Sequence, residues 1–381
     1  MLEYEIVVIG GGPAGMAAAL SARNSGISRV LLVERAEVLG GILNQCLHAG
    51  FGLTYFGEEL NGPQYAARFI KRIEQSDLKV LTSTTAVSLQ ADGRVILSGS
   101  CGLLEIKAQA VILASGCRER PIGSLPVTGT RPAGIFTAGM AQKMVNLGGY
   151  NIGSKIIILG SGDVGMIVAR RMVLLGKEVI AVIEKEAVCG GLLRNQIQCL
   201  EHYGIPLWTR CTISRIHGQE RISAVTVQNL EDGREKYIEC NTLITSVGLI
   251  PEQELAEEAV DGGAIPPWLF LCGNACYVHD LVDDVTSEAE HVGRKAAEFV
   301  KTLKQAGKDY KQAGSGMLEG DVQGAHQEQA PKEDPEKANI PQDKTQNTFC
   351  IACPKTCKLT PSSQGWEGTI CGRKDPVVAV R

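Results

Sequence analysis

Glu5-Ile6-Val7-Val8-Ile9-Gly10-Gly11-Gly12-Pro13-Ala14-Gly15 is an apolar run that ends in G-x-G-x-x-G and passes into the small residues Ala17-Ala18-Ala19. The next apolar run, Leu31-Leu32-Val33, ends on Glu34. The arrangement returns at Ile156-Ile157-Ile158-Leu159-Gly160-Ser161-Gly162-Asp163-Val164-Gly165, followed by Val179-Ile180-Ala181-Val182-Ile183 and Glu184. In both copies the acid lies 24 positions after the first glycine. One such motif arises by chance wherever a glycine turn follows a buried strand. Two, each in full strand, helix and acid context, point to two dinucleotide sites.

The residue types follow from the chemistry. The first glycine makes a tight strand-to-helix turn, the second lets backbone approach a pyrophosphate, and the third lets helix pack on strand. The phosphates then meet the positive end of the helix. Glu34 and Glu184 sit where an acid accepts hydrogen bonds from a ribose diol. A carboxylate repels a 2′-phosphate, so NAD(H) is favoured over NADP(H), a preference that Arg35 and Lys185 would soften.

The chain has 381 residues, enough for two to three domains with substantial cores. Its net charge of −4 gives no electrostatic reason to expect nucleic acid or an anionic membrane. The N-terminal apolar run is preceded by acids and broken by glycine and proline, and no apolar stretch reaches the length of a membrane span. A soluble, cytoplasmic protein is expected. Strand and helix patterns alternate, with hairpin signals at Asp92-Gly93 and Asp232-Gly233.

Three further segments carry a family resemblance. Val111-Ile112-Leu113-Ala114-Ser115-Gly116-Cys117, Thr242-Leu243-Ile244-Thr245-Ser246-Val247-Gly248 and Leu269-Phe270-Leu271-Cys272-Gly273-Asn274 follow one another in the order found in two-dinucleotide flavoproteins. The chain thus resembles the pyridine nucleotide-disulfide oxidoreductase superfamily, in its compact thioredoxin-reductase-like branch. The resemblance implies an α/β fold of two Rossmann-like three-layer ββα domains. An FAD domain of residues 1–128 and 252–306 would be interrupted by an NAD domain of residues 129–251. It assigns Gly10, Gly12, Gly15, Glu34, Arg35, Gly41, Ser115, Gly116, Gly273 and Asn274 to FAD. Gly160, Gly162, Gly165, Glu184 and Gly248 fall to NAD. The family usually has Gly-Asp where this chain has Gly273-Asn274; an amide still hydrogen-bonds a ribityl hydroxyl. Ser287 and Glu290 have capping-box spacing for a helix start.

Dithiol reductases of this superfamily carry paired cysteines. This chain has Cys46 alone in Gly40-Gly41-Ile42-Leu43-Asn44-Gln45-Cys46-Leu47-His48, and no C-x-x-C in the NAD domain of residues 129–251. A single cysteine suits a sulfenic-acid cycle, as in NADH oxidases and peroxidases. His48 and His279 are candidate proton carriers, and equally ordinary structural histidines. The wording around Cys46 and of Tyr277-Val278-His279-Asp280-Leu281-Val282-Asp283 resembles the flavoprotein associated with anaerobic glycerol-3-phosphate dehydrogenase. Components of amino-acid, opine and sarcosine dehydrogenases are more distant likenesses. That implies an FAD-dependent oxidoreductase passing hydride between NAD(H) and FAD, working with a partner dehydrogenase. The alternatives are a self-contained oxidase using Cys46, or a redox sensor that binds the dinucleotides.

Residues 307–347 are rich in Lys, Gln, Glu, Gly and Pro and read as a disordered linker. Residues 348–381 carry Cys350, Cys353, Cys357 and Cys371, a C-x2-C-x3-C-x13-C set. Three close thiols and one remote one suit an iron–sulfur cluster; structural zinc and redox-active thiols stay open.

Overall fold

The computed structural model describes residues 2–260, 264–315, 359–362 and 365–368. The protein divides into a unit of residues 1–297 and one of residues 298–381.

In the first unit the apolar run before Gly10 forms the strand Leu2–Ile9, central in a seven-stranded sheet. It pairs in parallel with Val30–Val33 on one side and with Gly102–Leu113 on the other. Buried on both faces, such strands read as unbroken β-branched runs instead of alternating ones. Ile6, Val7, Val8, Leu31 and Leu32 are accordingly all sealed from solvent. The 12-residue strand Gly102–Leu113 serves two partners. Its first half closes a meander with Arg94–Gly99 and Thr85–Leu89, while Val111 to Leu113 pair in parallel with Leu269–Leu271. The hairpin expected at Asp92-Gly93 is present, with Gly93 at φ +83° and its N–H donating to Gln90 O at 2.9 Å.

The second glycine motif stands in a separate parallel sheet of five strands. Their order is Ile135–Thr137, Thr242–Thr245, Lys155–Leu159, Glu178–Ile183 and Leu207–Trp208. A second layer holds the antiparallel strands Cys211–Gly218, Ile222–Asn229 and Glu235–Glu239, with a turn at Asp232-Gly233. The first sheet therefore takes strands from both sides, in sequence, of the second. Between them Cys117–Glu119 and Leu249–Pro251 run antiparallel, Arg118 opposite Ile250. The expected α/β fold with two Rossmann-like sheets is the one observed.

Two local expectations are corrected. The last helix begins at Val282, so Ser287 and Glu290 lie inside it. The Ser287 hydroxyl donates to Asp283 O one turn back, at 2.9 Å, and Glu290 accepts from the Tyr55 hydroxyl. No cap forms because helix propagation has already occupied these positions. The same helix reaches Ser315, past the expected start of the linker at 307.

In the second unit the strands Leu359–Ser362 and Gly365–Gly368 pair antiparallel. Cys350, Cys353, Cys357 and Cys371 lie outside the described residues.

Candidate dinucleotide sites

At the first turn Gly10 has φ +111°, and a Cβ there would collide with Ala114 O of the neighbouring strand. A Cβ on Gly15 would strike Gly10 O, so helix Pro13–Asn24 packs on its strand only without one. Gly12 faces outward: the nearest atom to an added Cβ is Gly41 Cα at 4.0 Å. The helix that follows has no side-chain N-cap. Unbonded N–H groups at a helix start, under bare glycine backbone, form a cradle that fits a pyrophosphate. Glu34 is buried and accepts from Gly11 N at 2.6 Å and Ala36 N at 2.7 Å. Arg35 is mostly exposed and turned toward Glu252, 3.7 Å away.

The second turn repeats this. Gly160 has φ +102°, with Ser246 O where a Cβ would go, and nothing lies within 4 Å of an added Cβ on Gly162. Helix Asp163–Leu174 likewise lacks a side-chain N-cap. Glu184 accepts from Ser161 N at 3.0 Å, the Ser161 hydroxyl at 2.6 Å and Glu186 N at 3.0 Å. Burial pushes its carboxyl up, but these hydrogen bonds outweigh it and hold the group below its ordinary value. Lys185 is paired with Glu186 at 3.3 Å. Asp163, at the start of the helix, accepts from Leu192 N and Asn195 Nδ2, tying the 192–195 segment to the turn.

The remaining residues assigned by resemblance gather where the chain passes between the sheets. The Ser115 hydroxyl donates to Glu252 O at 2.6 Å, Glu252 N to Gly116 O at 2.9 Å, and Arg120 N to Gly248 O at 2.9 Å. Gly273 packs against Ala14, in the first turn of helix Pro13–Asn24. Asn274 therefore stands at the rim of the first cradle, with its Nδ2 3.7 Å from Cys117 Sγ. His279 joins this group, its Nδ1 3.2 Å from Asn274 Oδ1 and its ring stacked on Tyr277 at 4.0 Å.

Cys46 and His48 are placed differently. Cys46 caps a short 3-10 turn, Gly41–Gln45. Its thiol donates to Ile42 O at 3.3 Å and meets Gln142 Oε1 at 3.7 Å, on helix Ala138–Asn146 beside the second sheet. Gln45 binds the same helix through Gly139 O at 2.7 Å, and Asn146 Nδ2 returns a bond to Gln45 O at 2.8 Å. Burial pushes the Cys46 thiol up to about 12. No disulfide joins the nine described cysteines. His48 lines a cavity of about 60 Å³ with Glu59, Arg170 and Arg194. Burial first, and then both arginines, lower its basicity.

Sequence reasoning missed Asp283, whose buried carboxylate accepts from Gly52, Thr54 and Tyr55 N–H groups. It missed Glu119, which accepts from Gly139 N at 2.7 Å and so caps helix Ala138–Asn146. Neither carries a spacing signal, because both partners are backbone atoms brought near only by folding.

Two open glycine cradles, each with a buried acid at the tip of the next strand, define a two-dinucleotide oxidoreductase. The Pyridine nucleotide-disulphide oxidoreductase family matches residues 4–264, and the chain belongs to that family. It is by class an FAD-dependent pyridine nucleotide oxidoreductase. The chain is 27% identical to the HcnB component of the hydrogen cyanide synthase of Pseudomonas protegens, over 66% of this chain and 58% of that protein. To one of the subunits of the opine oxidase of Agrobacterium tumefaciens it is also 27% identical, over 67% and 54%. It thus spans somewhat over half the length of these curated relatives. Among solved structures, a thioredoxin reductase of T. acidophilum superposes with TM-score 0.63 at 21% identity, covering 80% of this chain and 99% of that one. That likeness concerns the fold. No helix among the described residues is long and apolar enough to cross a membrane.

Proposed function

We propose that this chain is the NAD-linked flavoprotein part of a larger dehydrogenase. Hydride passes between NAD(H), held from Gly160 to Glu184, and FAD, held from Gly10 to Glu34 and by Gly41, Ser115, Gly116 and Asn274. Electrons are exchanged with a partner dehydrogenase of glycerol-3-phosphate or amino-acid type. In this reading residues 1–128 and 252–306 form the FAD domain and residues 129–251 the NAD domain.

The observation that carries it is Cys46, which has no disulfide partner among the described residues. A dithiol reductase needs a second sulfur beside the first, and here the thiol meets the Gln142 amide instead. An oxidase cycling through a sulfenic acid needs a thiolate, and burial pushes Cys46 the other way. With neither thiol route favoured, reducing equivalents leave for another centre. The resemblance to components of a cyanide synthase and of an opine oxidase, both parts of larger enzymes by name, supports the same reading.

When bound, FAD supplies the two-electron partner for the nicotinamide. The chain's own part is orientation and charge. The helix starts at Pro13 and Asp163 offer N–H groups to the two pyrophosphates, and Glu184 meets a ribose diol with a full negative charge that disfavours a 2′-phosphate. NAD(H) is accordingly the proposed nucleotide. Cys350, Cys353, Cys357 and Cys371 are the proposed ligands of an iron–sulfur cluster, with zinc as the other candidate, at the exit of the electrons.

Anaerobic purification, metal analysis and an absorption spectrum before and after NADH test the scheme. Flavin bleaching by NADH with about four irons per chain supports it. Efficient NADH-driven reduction of a small disulfide, or turnover on dioxygen that Cys46→Ser abolishes, would overturn it.

A further inference from the structure

Asn274 stands where the family usually has an aspartate, and its surroundings give that difference a purpose. The backbone N–H of His279 donates to Asn274 Oδ1 at 3.0 Å. Because a backbone N–H only donates, the amide atom facing it is the oxygen. The same oxygen lies 3.2 Å from His279 Nδ1, which is attractive only if Nδ1 carries a hydrogen. The other ring nitrogen, Nε2, lies 2.5 Å from Glu288 Oε2, with both side chains almost wholly buried. The contact brings the imidazole edge against the carboxylate, behind the Asn274 amide. It is a charge contact and not a directed hydrogen bond: His279 Nε2 and both Glu288 carboxylate oxygens are buried with no hydrogen-bond partner. A carboxylate left this incompletely satisfied is retained against a desolvation cost.

Resting on the assignment of FAD to the first cradle, we propose that Glu288 and His279 form a positioning pair that fixes the Asn274 amide at the rim of that cradle, Oδ1 toward His279 and the NH2 group on the side of Cys117 Sγ. With Oδ1 engaged by His279 and one NH2 hydrogen on the side of Cys117 Sγ, the second NH2 hydrogen is the group Asn274 has left for FAD, a donor where the family's aspartate offers an acceptor. The carboxylate missing from position 274 reappears one layer back, at Glu288, and is matched there by the imidazole. A neutral donor at the rim adds no negative charge beside the FAD pyrophosphate or beside a reduced, anionic flavin. An aspartate in the same place would add one, and its second oxygen would face the Cys117 sulfur where the amide now donates.

The test uses the full-length protein stripped of FAD, titrated with FAD by flavin fluorescence, and the flavin midpoint potential of each reloaded protein. His279→Ala is expected to weaken FAD about tenfold, by roughly 1.4 kcal/mol. His279→Asn, which restores a donor near Nδ1, should recover most of that loss. Asn274→Asp should weaken FAD and move the midpoint potential more negative, whereas His279→Asn leaves the potential near that of the unaltered protein. NADH affinity, measured on the same proteins, should not change. An FAD affinity within twofold of the parent in His279→Ala, or an unmoved potential in Asn274→Asp, overturns the positioning role while leaving the FAD site intact. If His279→Ala does not fold, Glu288→Gln and Asn274→Asp carry the same readings. Failure of the unaltered chain to bind FAD overturns the site assignment itself, and the positioning role with it.

Discussion

Glu184 takes two hydrogen bonds from Ser161, one from the backbone N–H at 3.0 Å and one from the hydroxyl at 2.6 Å, across 23 residues of sequence. Glu34 makes the matching reach to Gly11, where no hydroxyl exists to give the second bond. In both sites the acid proposed to meet a ribose also holds the glycine turn in shape. Replacing it therefore damages nucleotide binding and local stability together. Glu184→Gln is expected to raise the KM for NADH about tenfold, a loss of roughly 1.4 kcal/mol, and to narrow the preference over NADPH. Steady-state kinetics with both nucleotides measure this.

The same residue gives a pH dependence of defined sign. Its folded carboxyl is held below the ordinary value, so its contribution to stability is complete above about pH 4.3, the unperturbed glutamate range. That contribution is lost as pH falls through the depressed folded value. Acid-unfolding curves should be shallower for Glu184→Gln than for the parent below about pH 4.3. Equal slopes would show that the unfolded chain holds Glu184 no differently.

Gly160→Ala places a Cβ against Ser246 O at a positive φ. Backbone strain of this kind costs about 1–3 kcal/mol. Thermal unfolding should shift down by several degrees, and flavin reduction by NADH should slow sharply while FAD content stays high. Loss of FAD with NADH affinity retained would reverse the assignment of the two cradles.

Cys46→Ser should leave the rate of flavin reduction by NADH within about twofold of the parent, since burial disfavours a thiolate at that site. Labelling by a thiol reagent at neutral pH should be slow at Cys46 compared with Cys101, which is exposed. Rapid labelling of Cys46 would show an accessible thiolate.

Asp283 satisfies three backbone N–H groups of the 52–55 loop. Bonds to a charged acceptor are worth about 1.5–3 kcal/mol each. Asp283→Asn keeps one acceptor oxygen and replaces the other by a donor facing N–H groups, so a loss of about 2–3 kcal/mol is expected. Denaturant unfolding, with proteolysis of residues 52–55, checks it.

Much of this protein is legible before folding. The first and second motifs, the hairpin at Asp92-Gly93 and the turn at Asp232-Gly233 are local signals, carried by residues adjacent in sequence. The site is legible to the same extent: Gly10 and Gly160 meet backbone at the end of the strand beside them, and Gly15 meets Gly10 O within the turn, as the motif requires. The capping spacing at Ser287 misplaces the start of the last helix because it is only a local pattern. The helix has already begun at Val282, where Asp283 turns its carboxylate to a loop more than 200 residues earlier.

The sequence by itself determined the two Rossmann turns, the acid at each second strand and the lack of a paired cysteine beside Cys46, since each depends on residue type at short spacing. Only the tertiary structure decided that Cys46 faces Gln142, that Glu119 caps a helix beside the second sheet, and that His279 and Glu288 stand behind Asn274. Those relationships join residues with no fixed spacing. The force behind them is the need to hydrogen-bond every polar group that burial removes from water, and that demand is set only once the chain has packed.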